Sequence, residues 1–214
     1  MLSTTTTLYL IRHGQVENAR PRCYHGQSDV PLSLLGRQQM DRLAEWAAST
    51  GLSAVYCSDL QRTRHGADAV GRRCAVPVSA TPVLREKHFG RWEGLTYEEA
   101  KRQFPAQWRD WLADPLDARP PDGETYREVE ARVIPFVQRL VREHAGQTVL
   151  ILAHGGVNRV IVCRALGLPM RRVFGIEQDY ACVNMIECAV GGRWRVTLMN
   201  NALPGDPLLR PAQP

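Results

Sequence analysis

The run Leu8-Tyr9-Leu10-Ile11 ends abruptly in Arg12-His13-Gly14-Gln15, and this stretch constrains the chain more than any other. A continuous apolar, β-prone run of this length reads as a buried strand. In open α/β sheets, ligands collect just beyond the carboxyl ends of strands. Arg12 and His13 therefore emerge where a ligand can meet them, and Gly14 lets the backbone turn sharply there.

The same pattern recurs along the chain. Ala54-Val55-Tyr56-Cys57 reads as a short strand, and Ser58-Asp59-Leu60-Gln61 after it as a capping box that puts Arg62 in the first turn of a helix. Thr148-Val149-Leu150-Ile151-Leu152-Ala153 is the strongest strand and ends in His154-Gly155-Gly156 before another helix. Ser33 predicts the N-cap of a helix with Met40, Leu43, Ala44 and Ala47 on one face. Thr125 and Glu128 form a second capping box opening a long helix, with a kink expected at Pro135. Val76–Ala80, Cys182–Cys188 and Trp194–Met199 complete the extended segments.

Arg12, His13, Arg62 and His154 all lie in turns that follow strands. If those strands are parallel neighbours, the four side chains converge at one sheet edge. Such a cluster concentrates positive charge and hydrogen-bond donors as a phosphate dianion requires, and it contains no carboxylate group to hold a metal. Taken singly, each histidine reads as a satisfied core residue and each arginine as a solvated charge. Two strand-end histidines, each followed by glycine, are harder to read that way, and His13 is the candidate nucleophile for a phosphoryl group.

Composition sets the outer bounds. A 214-residue chain with 44% hydrophobic residues suits one large domain or two small ones. No apolar run approaches the roughly 20 residues of a membrane span, and the start lacks the charged and apolar regions of a leader. The six cysteines form no CxxC pair, so reduced thiols, a cytoplasmic location and no zinc framework are expected. The net charge of +5 comes from dispersed arginines, with Lys87 and Lys101 the only lysines. Without a contiguous basic stripe or basic-aromatic motif, it does not argue for nucleic acid.

From about Leu8 to Cys188 the chain resembles the histidine phosphatase superfamily, also called phosphoglycerate mutase-like. Leu10-Ile11-Arg12-His13-Gly14-Gln15, Ser58-Asp59-Leu60-Gln61-Arg62-Thr63 and Ala153-His154-Gly155-Gly156 match its motifs in order. Leu84 to Gly94 is similar to the segment bearing its proton donor, and Pro121-Asp122-Gly123-Glu124-Thr125 to its Gly-Glu-Ser stretch. The resemblance implies a three-layer α/β/α fold with a mostly parallel central sheet. The chain reads as one domain over 1–201; the segment at about 95–123 has too few apolar residues for a core of its own and reads as a lid-like insertion, and the proline-rich tail at 202–214 reads as loose.

The resemblance also implies roles. His13 attacks phosphorus and becomes a phosphohistidine, which requires a neutral imidazole whose other nitrogen is held by an acceptor. Arg12, Arg62 and His154 grip the phosphoryl oxygens, and Asn18 adds a neutral donor. Glu86 protonates the leaving oxygen and then deprotonates water; read alone, it would be a surface ion pair with Arg85 or Lys87. Gly155 allows close backbone approach, and His25 is a candidate substrate contact. His88 is read as support or pocket wall, and His65 and His144 as solvent-facing. The implied reaction needs no metal or cofactor, and the implied partner is a small phosphate ester, not a membrane or nucleic acid. A homodimer is compatible with the sequence but not set by it.

Cys23 to Ser33 looks like the α-ribazole phosphatase branch, whose members remove a 5′-phosphate in cobalamin assembly. A phosphoglycerate mutase, a broad sugar phosphatase and a non-catalytic phospho-ligand module are the alternatives. Thr96 and Tyr97 stand where a mutase would place a basic contact.

Overall fold

A computed structural model describes residues 5–17, 19, 23–189 and 191–203. Among them the chain forms one six-stranded sheet. Its strands are β1 (Thr5–Arg12), β2 (Leu52–Cys57), β3 (Val78–Ala80), β4 (Thr148–Ala153), β5 (Val183–Ala189) and β6 (Trp194–Asn201), in the spatial order β3-β2-β4-β1-β5-β6. The first four are parallel, while β5 and β6 are antiparallel to their neighbours.

Helices cover both faces. α1 (Leu34–Ala47) and α2 (Gln61–Cys74) pack with Ile11, Val55 and Leu152 on one side. α5 (Tyr126–Glu143) and α6 (Gly155–Ala165) pack with Leu8, Leu10 and Ile151 on the other. This explains why β4 is apolar on both faces: Val149 through Ala153 are all buried between two helical layers. The expected three-layer architecture is therefore observed. α3 (Tyr97–Gln103) adds Ala100 and α4 (Pro105–Ala113) adds Trp108 and Trp111 to the same core as Tyr24 and Trp92.

Local signals hold in most places. The Ser33 side chain accepts the Gly36 N–H at the start of α1. Both halves of the Thr125–Glu128 capping box are made, and α5 runs unbroken through Pro135. The expected box at Ser58 does not form. Leu60 is the N-cap of α2 and makes no side-chain cap bond; Ser58 serves the site instead. Gly14 is not in a left-handed turn, because its φ is not positive. It is small because a Cβ there would meet the Gly36 carbonyl oxygen at 2.4 Å.

Leu203 is buried with the α1–α2 side of the core, so the chain is packed through that residue. The rest of the expected tail, 204–214, lies outside the described residues, as does Asn18. Among the described residues, no helix is long and apolar enough to cross a membrane.

Candidate active site

The sheet brings the three strand ends together. β4 lies between β1 and β2, with Arg12 beside Ala153 and Cys57 beside Leu152. Arg12, His13, Arg62, Glu86, Gly155 and Gly156 consequently line one cavity of about 540 Å³, and His25 lies in its wall.

His13 is nearly fully buried. Its Nδ1 lies 2.8 Å from the Gly14 carbonyl oxygen. A carbonyl only accepts, so Nδ1 carries the proton and Nε2 is left unprotonated in the neutral ring. Burial, reinforced by the charges of Arg62 and Arg12, holds the imidazole well below its usual 6.5. A buried neutral imidazole with one nitrogen free is the form a nucleophile requires.

His154 is also buried and held neutral, mainly by burial and then by Arg62. The Arg62 Nε–H donates to His154 Nδ1 at 3.3 Å. Nε2 then carries the proton and donates to Ser58 Oγ at 2.7 Å. Both ring nitrogens are thus engaged by protein groups, so the imidazole orients Arg62 rather than offering a free donor. Arg62 itself donates from Nη1 to Ser28 O at 2.7 Å and from Nη2 to Gly26 O at 2.5 Å.

Arg12 is aimed differently. Its Nη1 donates to Gln178 O at 2.6 Å, and its guanidinium lies over the Tyr180 ring at 4.1 Å. Its Nε is buried without a partner among the described residues. A buried donor without an acceptor is rare, and at a site of this polarity it marks where an anion's oxygen would go.

Glu86 pairs with neither Arg85 nor Lys87 side chain. Arg85 forms a two-pronged bridge to Asp59, both contacts at 2.7 Å. Glu86 turns inward instead: Oε2 accepts the Gly156 N–H at 2.9 Å, and Oε1 accepts the Lys87 backbone N–H at 2.8 Å. Arg132 fixes this segment by donating to Glu86 O and Val83 O while bridging to Glu124. Glu93 anchors the opposite wall, accepting the backbone N–H groups of Gln27 and Ser28. His88 stands off the cavity, 3.6 Å from Glu93. His65 is exposed as expected, whereas His144 is half-buried and bonded to the Tyr56 hydroxyl at 2.8 Å.

Beyond the charged end, the cavity changes character. Tyr24, Phe89, Tyr97, Trp111, Tyr126 and Phe174 contribute rings, and Arg159 contributes a further cation to the lining. Sequence patterns do not single out Tyr180, Arg159 or the buried side of Lys87, and they misplace Ser58. The signal for Ser58 is present: it follows the end of β2 as His154 follows β4.

The sequence profile of the histidine phosphatase superfamily (branch 1) matches residues 8–202, and the chain belongs to that family. A bifunctional protein of Mycobacterium tuberculosis is 33% identical over 198 residues, covering 92% of this chain and 54% of its own length. The chain thus spans about half the length of that relative. The adenosylcobalamin/alpha-ribazole phosphatase of Escherichia coli is 29% identical, covering 84% of this chain and 89% of its own. The solved structure of a mycobacterial glucosyl-3-phosphoglycerate phosphatase superposes with a TM-score of 0.83 at 28% identity, covering 92% of this chain and all (100%) of its own.

Proposed function

We propose that this chain hydrolyses phosphate monoesters through a phosphohistidine on His13. The observation that carries this reading is the unprotonated Nε2 of His13 in the same cavity as the Arg12 Nε, which has no partner among the described residues, and the Glu86 carboxyl. Nε2 attacks phosphorus as the bond from phosphorus to the leaving oxygen breaks. A protonated Glu86 gives its proton to that oxygen, and the resulting carboxylate then takes one from the attacking water. Water's oxygen displaces Nε2 from phosphorus and orthophosphate departs. Arg12 and Arg62 stabilise charge on the phosphoryl oxygens throughout. No step calls for a metal or cofactor.

The leaving group we favour carries a planar ring, as α-ribazole 5′-phosphate does. The aromatic half of the cavity supports it, because ring faces stack on flat apolar surface. Arg159 favours a second reading, an acidic sugar phosphate whose carboxylate it would meet.

Phosphate release in excess EDTA separates the readings. The substrates are α-ribazole 5′-phosphate, glucosyl-3-phosphoglycerate, 3-phosphoglycerate and an aryl phosphate. Preference for the ribazole ester supports the first and preference for the acidic sugar the second. Interconversion of 2- and 3-phosphoglycerate without release would replace hydrolysis by mutase chemistry.

A further inference from the structure

The phosphoryl chemistry above makes no use of Lys87, yet this side chain is completely buried. Its Nζ donates to the Glu124 carbonyl oxygen. It also lies 4.8 Å from the ring centre of Trp111, 4.9 Å from that of Phe89 and 5.6 Å from that of Tyr126. Those three rings line the cavity, whereas Lys87 does not. The amine therefore backs the wall of the leaving-group half.

Nearby carboxylates are already committed. Glu124 is held by Arg132 through both oxygens, each at 3.0 Å, and by the His88 N–H at 2.9 Å. Glu86 bonds Gly156 and the Lys87 backbone. A buried ammonium without a bonded carboxylate is rare; among the described residues its direct contacts are three ring faces and one carbonyl, with Glu124 and Glu86 acting only through their nearby charge.

We propose that the Lys87 ammonium is a positioning residue, which pins Phe89, Trp111 and Tyr126 by cation–π attraction and so couples binding of ring-bearing phosphate esters to pH. This rests on the proposed phosphate-ester site. Burial pulls the amine down to about 7, with Glu124, Glu86 and Glu128 opposing and Arg119 assisting. Tyr126 stays neutral, because burial pushes its hydroxyl up. On the alkaline side of 7 the amine keeps its carbonyl but loses its attraction for the rings.

Calorimetric binding of phenylphosphonate and orthophosphate tests this on either side of pH 7. Neither ligand has an ester to cleave, and the ratio of their affinities cancels the titration they share. In the wild type, the preference for phenylphosphonate should fall about tenfold from the acid to the alkaline side, the size of a desolvated cation–π contact. Lys87→Met should hold the low preference on both sides and Lys87→Arg the high one. If the arginine variant does not fold, the methionine variant decides alone. A wild-type preference that ignores pH, or one that falls equally in Lys87→Met, overturns the proposal. Binding of both ligands without turnover of any ester sinks the hydrolase reading only. Binding of neither sinks both.

Discussion

The Glu86 carboxylate and the Gly156 backbone are fitted to each other: the N–H donates to Oε2 at 2.9 Å, and a Cβ on Gly156 would fall 2.4 Å from Oε1. Glycine here makes room for the carboxyl group that handles the proton. We expect Gly156→Ala to push Glu86 off its seat and lower kcat by about 100-fold, within the range for losing a general acid. Binding of orthophosphate should change little. Steady-state kinetics with a poor leaving group checks this, since a good leaving group needs less protonation. Equal losses on both kinds of ester would separate Glu86 from proton transfer.

His13 is held neutral by burial beside two guanidiniums. Its folded value lies below the usual 6.5, so the attacking form persists as pH falls through that point. Rapid-quench trapping of phosphorylated protein should therefore show phosphorylation still fast in mild acid. A rate that halves near 6.5 would mean an ordinarily titrating imidazole.

Ser58 is the buried partner of His154 Nε2 and also lies 2.7 Å from Thr63 Oγ1. Ser58→Ala leaves the imidazole N–H without an acceptor, at a cost of about 1–3 kcal/mol. We expect a lower midpoint in urea unfolding, together with slower phosphoryl transfer as Arg62 loses its oriented neighbour. An unchanged midpoint would show that another group accepts the N–H.

Lys87 also shapes stability. Its folded value is about 7 against an ordinary 10.5. Between those values the unfolded chain holds a proton that the folded chain has released, so stability rises with pH across the window. The full cost of burying the charge is present below about 7. Lys87→Met should therefore stabilise the protein by about 2 kcal/mol in mild acid, with the gain shrinking towards alkaline pH. Urea titrations of both proteins at several pH values measure the difference. A gain that does not vary with pH would mean that Lys87 holds its proton in the fold as it does in the unfolded chain, its value not lowered by burial.

Much of this site is legible in the order of residues alone. A strand-end rule is enough to find Arg12, His13, Arg62 and His154, because parallel neighbours put their carboxyl ends on one edge. Ser58 obeys the same rule, but its spacing to Gln61 imitates a helix cap. Lys87 is legible only as a local partner for Glu86, since sequence does not say which way adjacent side chains point in a loop. Tyr180 and Arg159 reach the cavity through long-range closure, which no local spacing encodes. Gly14 is legible as necessary, though for another reason: the demand comes from the Gly36 backbone against it.

Arg62 grips Gly26 O and Ser28 O with the same guanidinium that faces the phosphoryl site. The residues it holds belong to the turn that Glu93 secures from the other side. Charge and architecture are therefore vested in one side chain. Arg62→Ala would slacken the rim of the cavity as well as remove a cation, so its kinetic defect would exceed that of simple neutralisation. Added guanidinium could refill the charge without retying the turn, and the portion of activity that it fails to rescue would measure how much the rim contributes.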